Sequence, residues 1–106
     1  MPTNLPFPEP ILEDVARCFR QLGEPMRLRL LQALEGGERG VGDLAQQMGS
    51  SAANVSRHLQ ALHDCGLIAR RREGTSVYYR IEDPTVFQLC GLVCSSVEKK
   101  LKRRLG

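Results

Sequence analysis

The run from Gly49 to Ile68, GSSAANVSRHLQALHDCGLI, decides how the chain is read. Ser50 and Ser51 open it, and a hydroxyl there can satisfy an orphan backbone N–H at a helix start. Val55, Leu59 and Leu62 then recur at helical spacing, and Gly66 supplies a stop. Opposite that apolar stripe lie Ala53, Ser56, Arg57 and Gln60. Just upstream, Val41 to Met48 (VGDLAQQM) places Val41, Leu44, Ala45 and Met48 on one helical face, with Gly49 between the two patterns. Two short helices joined by a tight Gly-containing turn, the second opening on small polar residues, read as a helix-turn-helix.

Downstream of Gly66 the period changes. Leu67 to Arg72 (LIARRR) ends at Glu73-Gly74, and Thr75 to Ile81 (TSVYYRI) alternates and is rich in β-branched and aromatic residues, so the pair reads as a β-hairpin. Asp83-Pro84 opens a last helix, with Asp83 as a candidate cap. Upstream, residues 1–10 hold four prolines and predict an extended arm. A first helix follows from Ile11, with Ile11, Val15, Cys18 and Leu22 on its stripe, flanked by Leu12 and Phe19, and Gly23 ends it. Pro25 sits in the first turn of a second helix, where its missing N–H costs nothing. Leu28, Leu31 and Leu34, with Leu30 beside them, are its expected buried face, and Gly36-Gly37 stops it. The order α-α-α-α-β-β-α, mainly helical with a hairpin directly after the recognition helix, predicts one winged helix-turn-helix domain over residues 11–106.

A chain of 106 residues with 42% apolar and 25% charged side chains has the composition of a folded domain. No apolar run approaches the roughly 20 residues of a membrane span. MPTNLPFPEP lacks the basic and apolar regions of a secretory signal, so no membrane partner and a cytoplasmic location are expected. Residues 1–53 carry 5 basic and 7 acidic side chains, whereas residues 54–106 carry 10 and 5. That asymmetry suits a polyanion-binding surface, double-stranded DNA above all. The four cysteines, Cys18, Cys65, Cys90 and Cys94, include no C-x-x-C, which argues against a thiol redox enzyme. Without a Gly-rich phosphate loop or a carboxylate pair with histidine, no catalytic site is expected.

The candidate DNA surface is Ser51, Ala53, Asn54, Ser56, Arg57 and His58 on the recognition helix, with Arg72, Thr75 and Ser76 at the hairpin tip. Short or forked donors suit base edges and phosphates, and arginine reads guanine bidentately. His58 lies about 60° from the centre of the apolar stripe, open to either groove or core. The competing reading is a winged helix used for protein contacts without specific DNA binding. On the last helix Phe87, Cys90, Cys94, Val97 and Leu101 step by 3, 4, 3 and 4, a heptad seam too apolar for a lone surface helix, which predicts a subunit interface. Cys65, at the base of the recognition helix, reads as a small core residue.

With these features in place, the chain resembles the ArsR/SmtB family of small dimeric winged-helix repressors. The resemblance runs from about Ile11 to Leu101 and is carried by LGEPMRLRLLQAL (22–34), VGDLAQQM (41–48), VSRHLQALHDCGLI (55–68) and RREGTSVYYRI (71–81). It implies a homodimer through the first and last helices, adding Val15 and Phe19 to the interface residues. It also implies an inverted-repeat operator and release when an effector binds. Neither familiar metal site of the family is intact. Glycines 40 and 42 stand where metal-sensing members carry a C-x-C pair, and Thr85 follows Asp83 where others have the histidine of D-x-H. Ala52 stands where many members have glutamine. If the first and last helices form the interface, Cys18, Cys90 and Cys94 can converge across or beside it. Such thiolates suit As(III), Sb(III), Cd(II) or Cu(I), or a disulfide or polysulfide link, although cysteine also simply packs well in a tight apolar seam.

Overall fold

The computed structural model describes residues 7–106. Helices α1 (Leu12–Leu22), α2 (Pro25–Leu34), α3 (Val41–Met48), α4 (Ala52–Asp64) and α5 (Thr85–Leu105) surround a small sheet of β1 (Arg39–Gly40), β2 (Ile68–Glu73) and β3 (Ser76–Ile81). The expected arm falls largely on residues 1–6, outside the described part. Its end departs from expectation, because Glu9–Ile11 forms a turn of 3-10 helix in place of extended chain. A short helical turn is local enough to form even with Pro10 inside it.

The α3–α4 unit forms as its sequence dictates. Gly49 closes α3 at φ 63°, a left-handed conformation that a side chain resists, and the Ser50 N–H bonds back to the Ala45 carbonyl at 3.0 Å. Ser51 caps α4, its Oγ accepting from the Asn54 N–H at 3.1 Å. Val55, Leu59 and Leu62 are fully buried against Leu30, Leu34 and Leu44. The second helix differs from expectation at one place. Leu30, Leu31, Ala33 and Leu34 are its buried residues, whereas Leu28 remains 43% exposed and faces away from the core.

The hairpin pairs Ile68 with Ile81 at its base and Glu73 with Ser76 at its tip, antiparallel throughout. The two-residue loop is Gly74-Thr75, with positive φ at Gly74 alone, the signature of a type II′ turn. The third strand was not visible in the sequence pattern. Arg39 and Gly40 pair with Tyr79 and Tyr78, so β3 is central in the order β1-β3-β2. The N-cap of the last helix is Pro84 rather than Asp83, and Asp83, one residue earlier, accepts the Thr85 N–H on Oδ1 at 3.1 Å.

Helix α5 buries Val86 and half-buries Phe87, Leu89 and Cys90, and from Gly91 onward every residue is exposed. Val97 and Leu101 are 48% and 45% exposed, and Phe19 of α1 is 53% exposed. The two helices therefore carry apolar surface that a single chain leaves uncovered. Among the described residues no helix is long and apolar enough to cross a membrane. Leu59→Ala removes a fully buried side chain at the centre of the core, and is expected to cost about 2–5 kcal/mol in urea-unfolding measurements.

Candidate nucleic-acid interface

Between α4 and the hairpin lies a cleft of about 630 Å³. Ala52, Ser56 and Gln60 form its helical wall, one turn apart along α4, and Arg70, Thr75 and Ser76 face them from the hairpin. Gln60 ties the walls together. Its Oε1 accepts from Arg70 Nη1 at 2.8 Å, and its Nε2 donates to Asp64 at 2.8 Å. Asp43 and Tyr78 also line the cleft. The sequence pattern singled out neither, because Asp43 lies on α3 and Tyr78 on the central strand, outside the recognition helix and the hairpin tip.

Arg57 is fixed along the exposed side of α4 by a chain of side chains. Its Nη2 donates to Asn54 Oδ1 at 2.8 Å, and Asn54 Nδ2 reaches Ser50 Oγ at 2.9 Å. Ala53 lies on the same exposed side. A guanidinium held in one direction loses less rotamer freedom when it meets a partner. Ser51 spends its acceptor on the cap, as described.

His58 departs from the groove-contact expectation. It is 5% exposed, and its Nδ1 accepts from Arg27 Nε at 3.0 Å. Arg27 in turn donates to the carbonyl and side-chain oxygens of Gln21, at the end of α1. The ring therefore joins α4 to α2 and α1 from inside the protein. Burial, followed by the charges of Arg57 and Arg27, holds its pKa below the usual histidine value.

The three consecutive arginines of β2 divide by direction, as a strand requires. Arg70 turns to α4. Arg71 lies on the other face, where it pairs with Glu38 at 2.8 Å and Glu73 at 2.6 Å and covers the Tyr78 ring at 4.5 Å. Its guanidinium pulls the Glu38 carboxyl below the usual range. Arg72 lies next to the tip, exposed, and makes no hydrogen bond or ion pair among the described residues. The hairpin thus uses one arginine to reach its helix and one to reach Glu38 ahead of β1, and leaves one exposed near the tip that Thr75 and Ser76 form.

Within one chain the thiols stand in separate places. Cys90 and Cys94 border apolar grooves between α5 and α2, whereas Cys18 faces Cys65, its Sγ lying 3.8 Å from the Cys65 carbonyl oxygen. Among the described residues no three His, Cys, Asp or Glu side chains form a group able to hold a metal ion. Cys18, Cys90 and Cys94 therefore do not converge within one chain. Burial, reinforced by the Cys18 thiol, pushes Cys65 up to about 11, and burial raises Cys90 as well.

A capped helix backed by a hydrophobic core, a hairpin beside it and a cationic rim define a protein of the winged helix-turn-helix class. The family of bacterial regulatory proteins called arsR matches residues 24–70. Rv0081 of Mycobacterium tuberculosis, an uncharacterised HTH-type transcriptional regulator, is 31% identical over 99 residues, covering 92% of this chain and 87% of its own. The Rv0081 crystal structure superposes with a TM-score of 0.79 at 30% identity, covering 92% of this chain and 98% of that one. The homodimeric winged helix-turn-helix DNA-binding domain Mb0332 of Mycobacterium bovis gives a TM-score of 0.78 at 36% identity, covering 97% and 95%. A probable mercury resistance operon repressor of Streptomyces lividans is 42% identical over 77 residues, which are 73% of this chain but only 62% of that protein. The chain belongs to the ArsR family, as its sequence motifs implied.

The buried histidine generates a pH prediction. Its folded-state pKa is lowered, so the unfolded chain takes up the proton first as pH falls. The stability due to neutral His58 is complete above about pH 6.5 and is lost progressively below it. Urea unfolding of the parent and of His58→Gln between pH 7.5 and 5 should show a steeper loss in the parent. Parallel curves would contradict the assignment.

Proposed function

We propose that this chain is a DNA-binding transcriptional repressor that leaves its operator when a thiol-reactive effector binds. The observation that carries the reading is the cleft between α4 and the hairpin, lined by Ser56, Gln60, Arg70, Thr75 and Ser76, with Arg57 held on the exposed side of α4 and Arg72 exposed near the hairpin tip. Asn54, Ser56 and Arg57 meet base edges in the major groove, and the hairpin tip meets phosphate or the adjoining minor groove. Ser51 contributes mainly as a cap, and Ala53 lets the helix approach closely. With double-stranded DNA as its partner, the protein acts in the cytoplasm and catalyses no reaction.

The active form is a homodimer through α1 and α5. Val15, Phe19, Phe87, Cys90, Cys94, Val97 and Leu101 lie along the apolar surface that one chain leaves open. A two-fold dimer reads an inverted repeat with half-sites roughly 34 Å apart, or a multiple of that. The effector belongs among soft, thiol-seeking species: As(III), Sb(III), Cd(II) and Cu(I), to which the mercury repressor relative adds Hg(II). Cys18, Cys90 and Cys94 sit on the two helices whose packing such a species would alter.

Two measurements test the reading. In operator titrations Arg57→Ala should cost about 1–3 kcal/mol and relax sequence preference, whereas Arg72→Ala should weaken all sequences alike and lower the salt slope by about one counterion. Equal affinity of both variants and parent for operator would refute the surface. For assembly, Val97→Glu should give monomeric or unfolded protein in sedimentation, because a charge without a partner is costly in an apolar seam. A folded dimer would remove α5 from the interface.

A further inference from the structure

Cys18 and Cys65 are separated by 47 positions in sequence, yet the fold sets them side by side, one on α1 and the other closing α4. Both are half-buried and border a cavity of about 250 Å³. Its other walls are mainly Phe19, Leu22, Val86 and Leu89, and the carboxylate at its edge, Asp83, is engaged by the N–H and hydroxyl of Thr85. We propose that Cys18 and Cys65 form a two-thiol site for a soft divalent cation that is satisfied by two sulfur ligands, Hg(II) being the chemical type, separate from the thiols of α5.

The selectivity follows from what the cavity offers. Zinc seeks about four ligands, and the cavity presents two sulfurs, no histidine and, at its edge, only the Asp83 carboxylate, whose Oδ1 is taken by Thr85. A trivalent arsenic centre seeks a third thiolate that this cavity does not contain. A cation satisfied by two thiolates is offered that number by Cys18 and Cys65. Binding replaces two S–H bonds by two S–metal bonds, sends two protons to solvent and displaces the cation's water or halide ligands. No electron changes hands. Two thiolates cancel the charge of the divalent cation, so the bound group is neutral. Apolar walls then carry no penalty for an uncompensated charge.

The consequence for DNA rests on the repressor reading above. Cys65 is the C-cap of the recognition helix, and Gly66, at φ 76°, turns the chain straight into Leu67 and the hairpin. A metal bridge would tie that point to α1, a helix of the proposed dimer interface, and would favour one mutual arrangement of the two. If that arrangement disfavours operator, operator must weaken metal binding by the same factor.

The test uses the reduced full-length chain and one equivalent of mercuric chloride. N-ethylmaleimide labelling followed by peptide mapping reads each thiol against a metal-free control labelled to completion. Mercury should protect Cys18 and Cys65 and leave Cys90 and Cys94 reactive. The double variant Cys90→Ser/Cys94→Ser should keep the tight mercury site, and Cys18→Ser should lose it. Protection of Cys90 and Cys94 in place of the other two, or a tight site undiminished in Cys18→Ser, overturns the proposal. The labelling result on the unaltered chain decides even if a serine variant folds poorly. Operator titration forms a separate arm. Protection of the pair with unchanged operator affinity upholds the site and overturns its part in release, whereas a chain that binds no operator at all refutes the repressor reading and leaves the labelling result to judge the site.

Discussion

The buried side of α4 is the constraint on which the molecule depends. Val55, Leu59 and Leu62 give the helix its hydrophobic seat, and His58, locked by Arg27, fixes its rotation about that seat. Apolar packing alone is non-directional, so it would let a helix roll by a few degrees at little cost. A hydrogen bond from a guanidinium on α2 to a ring nitrogen on α4 has a definite length and angle, and breaking it would leave a buried polar group unpaired. The rotation it sets is the one that turns Asn54, Ser56 and Arg57 outward.

The hairpin is held to the same frame by polar rather than apolar means. Arg70 reaches Gln60 on α4, and Arg71 reaches Glu38 just ahead of β1. These are exposed contacts, each worth little in stability. Their value lies in geometry, since Arg70 spans the cleft between helix and hairpin and Arg71 fastens the other face of the hairpin to the segment ahead of β1. Two cations that would otherwise repel each other along one strand are directed to opposite faces, and the third stands exposed near the tip.

Much of this was legible in the sequence because it is local. The Ser51 cap, the glycine that ends α3, the hairpin around Gly74 and the bond from the Thr85 N–H to Asp83 each need only a few neighbouring residues. What was not legible is non-local. Strand β1 is two residues long, too short for any alternation to register, and exists only because β3 offers an edge. His58 lay between the faces of its helix, and its direction was decided by an arginine 31 positions away. Leu28 looked like part of a leucine stripe, but the core of this small domain was already filled by Leu30, Leu31 and Leu34. Of the four thiols, those expected to act together were selected by helix stripes, and a stripe does not say which neighbour stands opposite. That Cys18 meets Cys65 follows from how α1 crosses the foot of α4.

The placement of that foot gives the recognition helix the mechanics of a lever. From Ala52 to Asp64 it is 13 residues long, or roughly 20 Å at 1.5 Å per residue. The end that bears Asn54 follows the Gly49 turn from α3, and the end that bears Cys65 rests on α1. Pivoting about the lower end by about 5° would carry the upper end through nearly 2 Å, more than half the length of a hydrogen bond. The hairpin begins three residues beyond Cys65, with no flexible linker between, so it would swing with the helix rather than absorb the motion. Because Val55 is fully buried beside Asn54, such a pivot would have to carry α3 along, moving the helix-turn-helix as one body.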